Sequence, residues 1–258
     1  MLSEIYERWI PKEKILRSNI WSSELSKLAS NAMLAQRISS INSLSALCSE
    51  TGADIDEVSK AIGMDHRIGG HFLKVSPGFG GSCFKKDILN LVYLCQFYGL
   101  DDVAEYWHGV VKINDHQQKR ITEIIQNYFI KHSLEKKISI LGWAFKKNTN
   151  DSRESASIYI TYQLLKLGFK VNIYDPMVSR KKILKDINAL DQKRGELNED
   201  YLSKIQVYET LESIVSTCKI ITILTEWDEF LSIEKISSDY EIFDFRNILN
   251  KKSVKLRL

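Results

Sequence analysis

Cys83 stands in the stretch SPGFGGSCFKKD, directly behind Pro77, Gly78, Gly80 and Gly81, in a chain with only 12 glycines and 3 prolines. Glycines let another molecule lie directly against backbone amides. A helix beginning at about Ser82 or Cys83 puts the cysteine in its first turn, where unsatisfied N–H groups favour an anion, and the thiolate is the form that attacks carbon. Lys85 and Lys86 add positive charge nearby. Asp87 follows four residues on, so it shares a face with Cys83 and can hold or activate a water aimed at whatever is attached to sulfur. The chemistry this describes is covalent capture of an electrophile followed by hydrolysis. A tight turn with a packed cysteine beneath it accounts for the same glycines equally well.

Lys27 and Asn31 lie four apart on a helical stretch and project from one face, as the residues of a solvated helix surface also would. Arg153 and Glu154 follow a polar turn at a helix start, the ordinary place for an ion pair or cap. Arg246 closes a strand in the run DFR, at the C-terminal end where open α/β sheets bind ligands. His66, His71, His108, His116 and His132 show no ligand spacing, and Cys48, Cys83, Cys95 and Cys218 form no CxxC, so no metal is expected. Cys48, Cys95 and Cys218 read as small buried hydrophobes in a protein of the reducing cytosol.

These groups must be positioned by two units of different periodicity. The first half reads as helices: one from Ser22 or Ser23, as N-cap, to Gly52; one over Asp54 to Gly63; one from near Phe84 to Tyr98; and one from near Asp101 to about His132. Beyond residue 135 the runs KKISILG, FKVNIYD, IQVYE, KIITILT and EIFDF alternate with helical stretches such as SRESASIYITYQLLKLG and DEFLSIEKIS, which predicts a parallel sheet covered on both faces. The stretch QKRGELNEDYLSK reads as a surface insertion. The fold class is therefore α/β: an all-helical unit followed by a Rossmann-like parallel sheet. Its first strand ends in ILGWAFKKNTND, without the GxGxxG that lets a backbone hug a pyrophosphate. The 258 residues are 44% hydrophobic and 27% charged, as in an ordinary globular protein, and a net charge of +3 does not argue for nucleic acid. No apolar run approaches a membrane span, and MLSEIYERWIPKEK lacks the apolar core of a signal peptide.

GFGGSCFKKD, with SSELSKLASNAMLAQRISSINSLSALC upstream and AFKKNTNDSRESASIYI downstream, resembles the UDP-glucose/GDP-mannose dehydrogenase family, and most of all its animal-type members acting on UDP-glucose. AIGMDHRIGGHFLK and ILTEWDEF extend the resemblance over essentially the whole chain. The resemblance implies oxidation of a sugar CH2OH to a carboxylate in two hydride transfers to NAD, through an aldehyde captured by a cysteine and a thioester hydrolysed by water. It makes Cys83 the nucleophile, Lys27 a general acid/base or oxyanion stabiliser, Asn31 a holder of the reacting oxygen, and Asp87 the group assisting the water. Lys27 and Asn31, with Lys74, Val75, Ser76, Pro77, Gly78, Phe79 and Gly80, would line the UDP-glucose site, and Phe145, Lys146 and Arg246 would bind from the second domain. Arg67 resembles an arginine that reaches the substrate of a neighbouring subunit, implying a homodimer or a higher homo-oligomer such as a hexamer. Cys83, Lys86 and Arg153 match positions approaching the NAD.

The implied domains are 1–20, the tail of an N-terminal domain; 21–132, a helical central dimerisation domain; and 133–258, a UDP-sugar-binding domain. The chain is thus expected to be a C-terminal portion without the NAD-binding domain, in a cytoplasmic enzyme. The alternatives are a non-catalytic UDP-sugar-binding, dimerising form and a dehydrogenase for another nucleotide sugar. Phe245 stands where the family has glycine, Asn148 where it has aspartate, Trp143 where it has phenylalanine and Lys85 where it has glutamine.

Overall fold

The computed structural model describes residues 2–258, so Met1 lies outside the described part of the 1–20 stretch. Helix α1 (Leu2–Tyr6) and a 3-10 turn at Lys12–Lys14 lead into α2 (Ile20–Thr51). The cap of α2 is Asn19, not Ser22 or Ser23. Asn19 lies in extended backbone and its side chain accepts the Ser22 N–H at 2.8 Å, satisfying one of the helix's orphan donors. The serines fall inside the helix, where Ser26 donates back to the Ser22 carbonyl at 2.6 Å. Gly52, at φ 77°, ends α2 in the left-handed conformation.

Helices α3 (Ile55–Gly63), α4 (Phe84–Phe97) and α5 (Asp101–Lys131) follow close to their expected bounds. Ala32 and Ala35 let α2 approach α4 and α5 closely, and all three close over Ile88, Leu91, Val92, Val110 and Val111. Burying side chains of this size contributes about 1.5–3 kcal/mol each.

Strands β1 (Lys137–Leu141), β2 (Lys170–Tyr174), β3 (Ile205–Val207), β4 (Ile220–Ile223), β5 (Glu241–Asp244) and β6 (Leu256–Arg257) form a parallel sheet in the order β3-β2-β1-β4-β5-β6. The first five fall on the runs read as strands. β6 is two residues long and has no period to read. The crossovers are α6 (Ala156–Lys166), α7 (Arg180–Arg194) and α8 (Leu211–Val215), with a 3-10 stretch at Asp228–Asp239 where an α-helix was expected. Helix α7 buries only Ile183 and Ile187, so its charged sequence gives little helical signal. It also absorbs Gln192 to Arg194 from the expected surface insertion, whose Tyr201 is buried.

Helix α5 belongs to both units. Its N-terminal half packs on α2 and α4, while Ile121, Ile125 and Phe129 enter the core beneath the sheet. Strand order reverses between β1 and β4, and this switch point opens a crevice beyond the carboxyl ends of the strands. The cysteine loop lies across that edge.

Candidate active site

Side-chain amides, rather than a neighbouring strand, satisfy the loop before Cys83. Asn42 of α2 accepts the Ser76 N–H at 3.0 Å, and Gln117 of α5 donates to the Ser76 carbonyl at 3.1 Å. Asn114 of α5 accepts the Phe79 N–H at 2.7 Å and returns its own N–H to the Phe79 carbonyl at 3.2 Å. Gly78 passes so close that a Cβ would lie 2.6 Å from Asn114 Oδ1. At Gly80 a Cβ would meet the Glu154 carbonyl oxygen at 2.6 Å and Phe145 Cβ at 2.8 Å. Gly81, at φ 83°, donates its N–H to the Arg153 carbonyl at 2.8 Å. The glycines are therefore required where the loop is wedged between α5 and the α/β unit. The turn is thus a structural wedge, but Cys83 is exposed rather than packed beneath it.

Cys83 is the N-cap of α4 and is exposed, with no side-chain capping bond. One turn further, buried Asp87 receives Lys27 Nζ and Asn31 Nδ2 on a single carboxylate oxygen, each at 2.5 Å. The face carrying Lys27 and Asn31 is thus an inter-helix contact, not merely a solvated surface. Burial pushes the Asp87 carboxyl up, but the hydrogen bonds from Lys27 and Asn31 and the charges of Lys27 and Lys86 outweigh it, so it sits below its ordinary value. Lys85 donates to Glu154 at 3.1 Å, with its ammonium 5.3 Å from the centre of the Tyr159 ring. Glu154 holds this position at φ 52°, a strained value for a non-glycine residue. The Arg153 fork grips Asp151 at 2.7–3.1 Å, which holds the guanidinium pKa above its ordinary value, and Arg153 also lies within electrostatic reach of Cys83.

Beside these groups is a cleft of about 380 Å³. Lys74, Val75, Ser76, Gly78, Phe79 and Gly80 line one wall, and Phe145, Lys146 and Arg246 line the other. Pro77 is buried behind the loop, outside that lining. Ile38, Phe72, Phe84 and Glu226 line the cleft without having been singled out in the sequence. Glu226 could have been found from its place in ILTEWDEF, just past β4 at the carboxyl edge. Burial pushes the Arg246 guanidinium down to about 10, and Glu226 is its ion-pair partner. Burial, then the charge of Arg246, pushes Lys74 below its ordinary value. Phe245 is fully buried in the core and outside the cleft lining. Arg67 is not brought to the cleft: its exposed side chain is held by Asp65 at 2.6–3.2 Å.

The loop after β1 does not offer a dinucleotide cradle. Gly142 is pressed against Thr225, where a Cβ would lie within 2.4 Å. The N–H groups of Trp143 and Ala144 donate to the buried Asp175 carboxylate at 2.6 and 2.9 Å, and Trp227 Nε1 joins them at 3.1 Å. The amides that would face a pyrophosphate are thus occupied by the protein's own carboxylate. Among the described residues no cluster of metal-ligating side chains occurs, and no helix is long and apolar enough to cross a membrane.

An open parallel sheet with a cation-lined cleft at its switch point, joined to a helical domain, places the protein in the α/β class. Residues 21–116 match the central domain of the UDP-glucose/GDP-mannose dehydrogenase family, and residues 139–251 match that family's UDP binding domain. The chain belongs to this family. It is 49% identical over 260 residues to the UDP-glucose 6-dehydrogenase of Mus musculus, covering 96% of this chain and 51% of the relative. It is 46% identical to the enzyme of the same name from Drosophila melanogaster, covering 98% and 54%. The solved UDP-glucose dehydrogenase of Pyrobaculum islandicum aligns with a TM-score of 0.71 at 26% identity, over 92% of this chain and 50% of that one. The chain spans about half the length of the curated relatives it matches.

Proposed function

We propose that this chain provides the UDP-glucose-binding and covalent machinery of an oxidation of UDP-glucose to UDP-glucuronate. The observation that carries the reading is the convergence of Lys27 and Asn31 on Asp87, one turn from the exposed Cys83, beside the cationic cleft. The diphosphate would lie against Lys74, Lys146 and Arg246, and the sugar would extend over the glycine loop towards the thiol. Once the sugar CH2OH has lost a hydride and a proton, Cys83 attacks the aldehyde carbon. A C–S bond forms, and the carbonyl oxygen takes the electron pair within reach of the Lys27 ammonium and the Asn31 amide. Loss of a second hydride leaves a thioester. Water held by Asp87 adds to it, the C–S bond breaks, and carboxylate and free thiol are released.

Both hydrides need an acceptor, and the family uses NAD. The residues of this sheet do not fit a dinucleotide at the usual loop, so the acceptor is not held there. Lys86 and Arg153, flanking Cys83, are the groups proposed to face that acceptor. The boundaries 21–132 and 133–258 are proposed for the two domains, since α5 ends at Lys131 and β1 starts at Lys137. A homo-oligomer is proposed as well, supported by Tyr93 and Phe97 of α4, Tyr98 at its C-terminal cap and Tyr106 of α5, all more than half exposed. A cytoplasmic setting agrees with four free thiols.

The test combines calorimetric titration with UDP-glucose and NADH absorbance in the presence of NAD. Placed in a full-length context that supplies the dinucleotide-binding domain, Cys83→Ser should retain UDP-glucose binding and lose formation of the acid. Unimpaired acid formation by that variant would refute the nucleophile, and GDP-mannose run in parallel checks the sugar nucleotide. The Asp175-filled loop favours a second reading, a UDP-sugar-binding form without turnover. Binding without any NADH signal would support it.

A further inference from the structure

Among the described residues, Glu226 is the one acidic side chain lining the cleft, where it shares the space with Lys74, Lys146 and Arg246. A carboxylate in a pocket read as a diphosphate site needs an explanation. Its neighbours fix its backbone. Thr225 Oγ1 donates to the Ala144 carbonyl at 2.7 Å, and Trp227 Nε1 donates to Asp175 at 3.1 Å. Between these anchors the Glu226 side chain turns into the cleft and pairs with the Arg246 guanidinium, which is only 12% exposed. A buried guanidinium without a counter-ion is strongly destabilising. Here the charge of nearby Lys74 adds to that cost.

A phosphate offers Arg246 the negative charge that Glu226 offers, and adds oxygens spaced for a forked hydrogen bond. The two anions repel each other when both are present. We propose that Glu226 is an internal stand-in for the ligand's phosphate: it holds Arg246 in the empty cleft and gives up the guanidinium when a nucleoside diphosphate binds. Glu226 thereby lowers the affinity of the cleft by competition. A residue that merely positioned Arg246 for the ligand would raise it. The proposal rests on the reading of the cleft as the UDP site.

UDP titrations by calorimetry at fixed ionic strength, on the parent chain, Glu226→Gln and Lys74→Ala, separate the two. Glu226→Gln should bind UDP at least about tenfold more tightly, since it removes a like charge from beside the phosphates. Its ligand-free melting temperature should fall, and the rise on adding UDP should exceed that of the parent. Lys74→Ala should weaken UDP binding. If Lys74→Ala weakens binding while Glu226→Gln leaves it unchanged or weaker, the competition proposal is overturned and the site reading stands. If Lys74→Ala binds UDP as the parent does, the site reading falls, and this inference with it. Should Glu226→Gln not fold, Glu226→Asp decides by the same sign, because it draws the carboxylate back by one methylene from Arg246.

Discussion

Replacing Gly80 with alanine tests the contact on which the site depends. The added Cβ would lie 2.6 Å from the Glu154 carbonyl oxygen, about 0.8 Å short of the 3.4 Å at which ordinary contact begins. Little on the far side can yield. Glu154 is pinned by Lys85 and by the Tyr159 hydroxyl at 2.7 Å, and the preceding carbonyl, of Arg153, accepts the Gly81 N–H. Either the loop or the seam between the two units must therefore open. Overpacking of this kind costs about 1–3 kcal/mol. At about 2–4 °C per kcal/mol for a chain of this size, the melting temperature should drop by roughly 2–12 °C. A misplacement approaching 1 Å costs on the order of 10²-fold in the function of a positioned group. The reaction of Cys83 with iodoacetamide, and its protection by UDP-glucose, should report that loss. Gly109→Ala is the control, because Gly109 lies inside α5 with nothing within 4 Å of the added atom. It should stabilise by up to about 1 kcal/mol. A Gly80→Ala chain that melts and binds UDP like the parent would refute the wedge.

Three further outcomes follow from the same geometry. Asp87 lies below its ordinary value, so its charge stabilises the fold fully above about pH 4, and that contribution is lost as pH falls through the folded value. Melting curves of the parent and Asp87→Asn should therefore differ at neutral pH and converge as pH falls through the folded value; parallel curves would contradict the pairing. Asn114→Leu strands the Phe79 N–H and carbonyl, at about 1–3 kcal/mol each, and a urea-denaturation loss below about 1 kcal/mol would mean that the loop finds other partners. Lys85 and Glu154 are 28% and 38% exposed, so a double-mutant cycle of Lys85→Ala with Glu154→Gln should give a coupling of about 1 kcal/mol or less.

Much of the fold is legible in the sequence because its signals are local. The apolar strand runs, the stop at Gly52 and the helical spacing of the apolar residues of α2 each declare themselves within one segment. Helix α7 does not, since two buried isoleucines carry its packing and its charges hide the period. The cap of α2 was misplaced because several serines competed with Asn19, and only backbone conformation decides between them. Cys83 and its glycines stand out by composition. Asn42, Asn114 and Gln117 do not, because a side-chain amide inside a helix has no local signature of the distant loop it satisfies. The same holds for Lys27 and Asn31, whose shared partner is Asp87, more than fifty residues further along the chain.

The carboxylate of Asp175 has one more consequence. Loops that receive phosphate keep their amides free for the guest. Here the guest is part of the host, so the segment leading into Phe145 and Lys146 is ordered in advance. One wall of the cleft is then stiff whether or not nucleotide is present. In hydrogen exchange the amides of Trp143 and Ala144 should be slow in both states, while that of Gly80 should slow only on binding. The opposite wall, the run from Lys74 to Gly80, is tied at Ser76 and Phe79 by Asn42, Asn114 and Gln117, so neither wall has much freedom left to lose on binding.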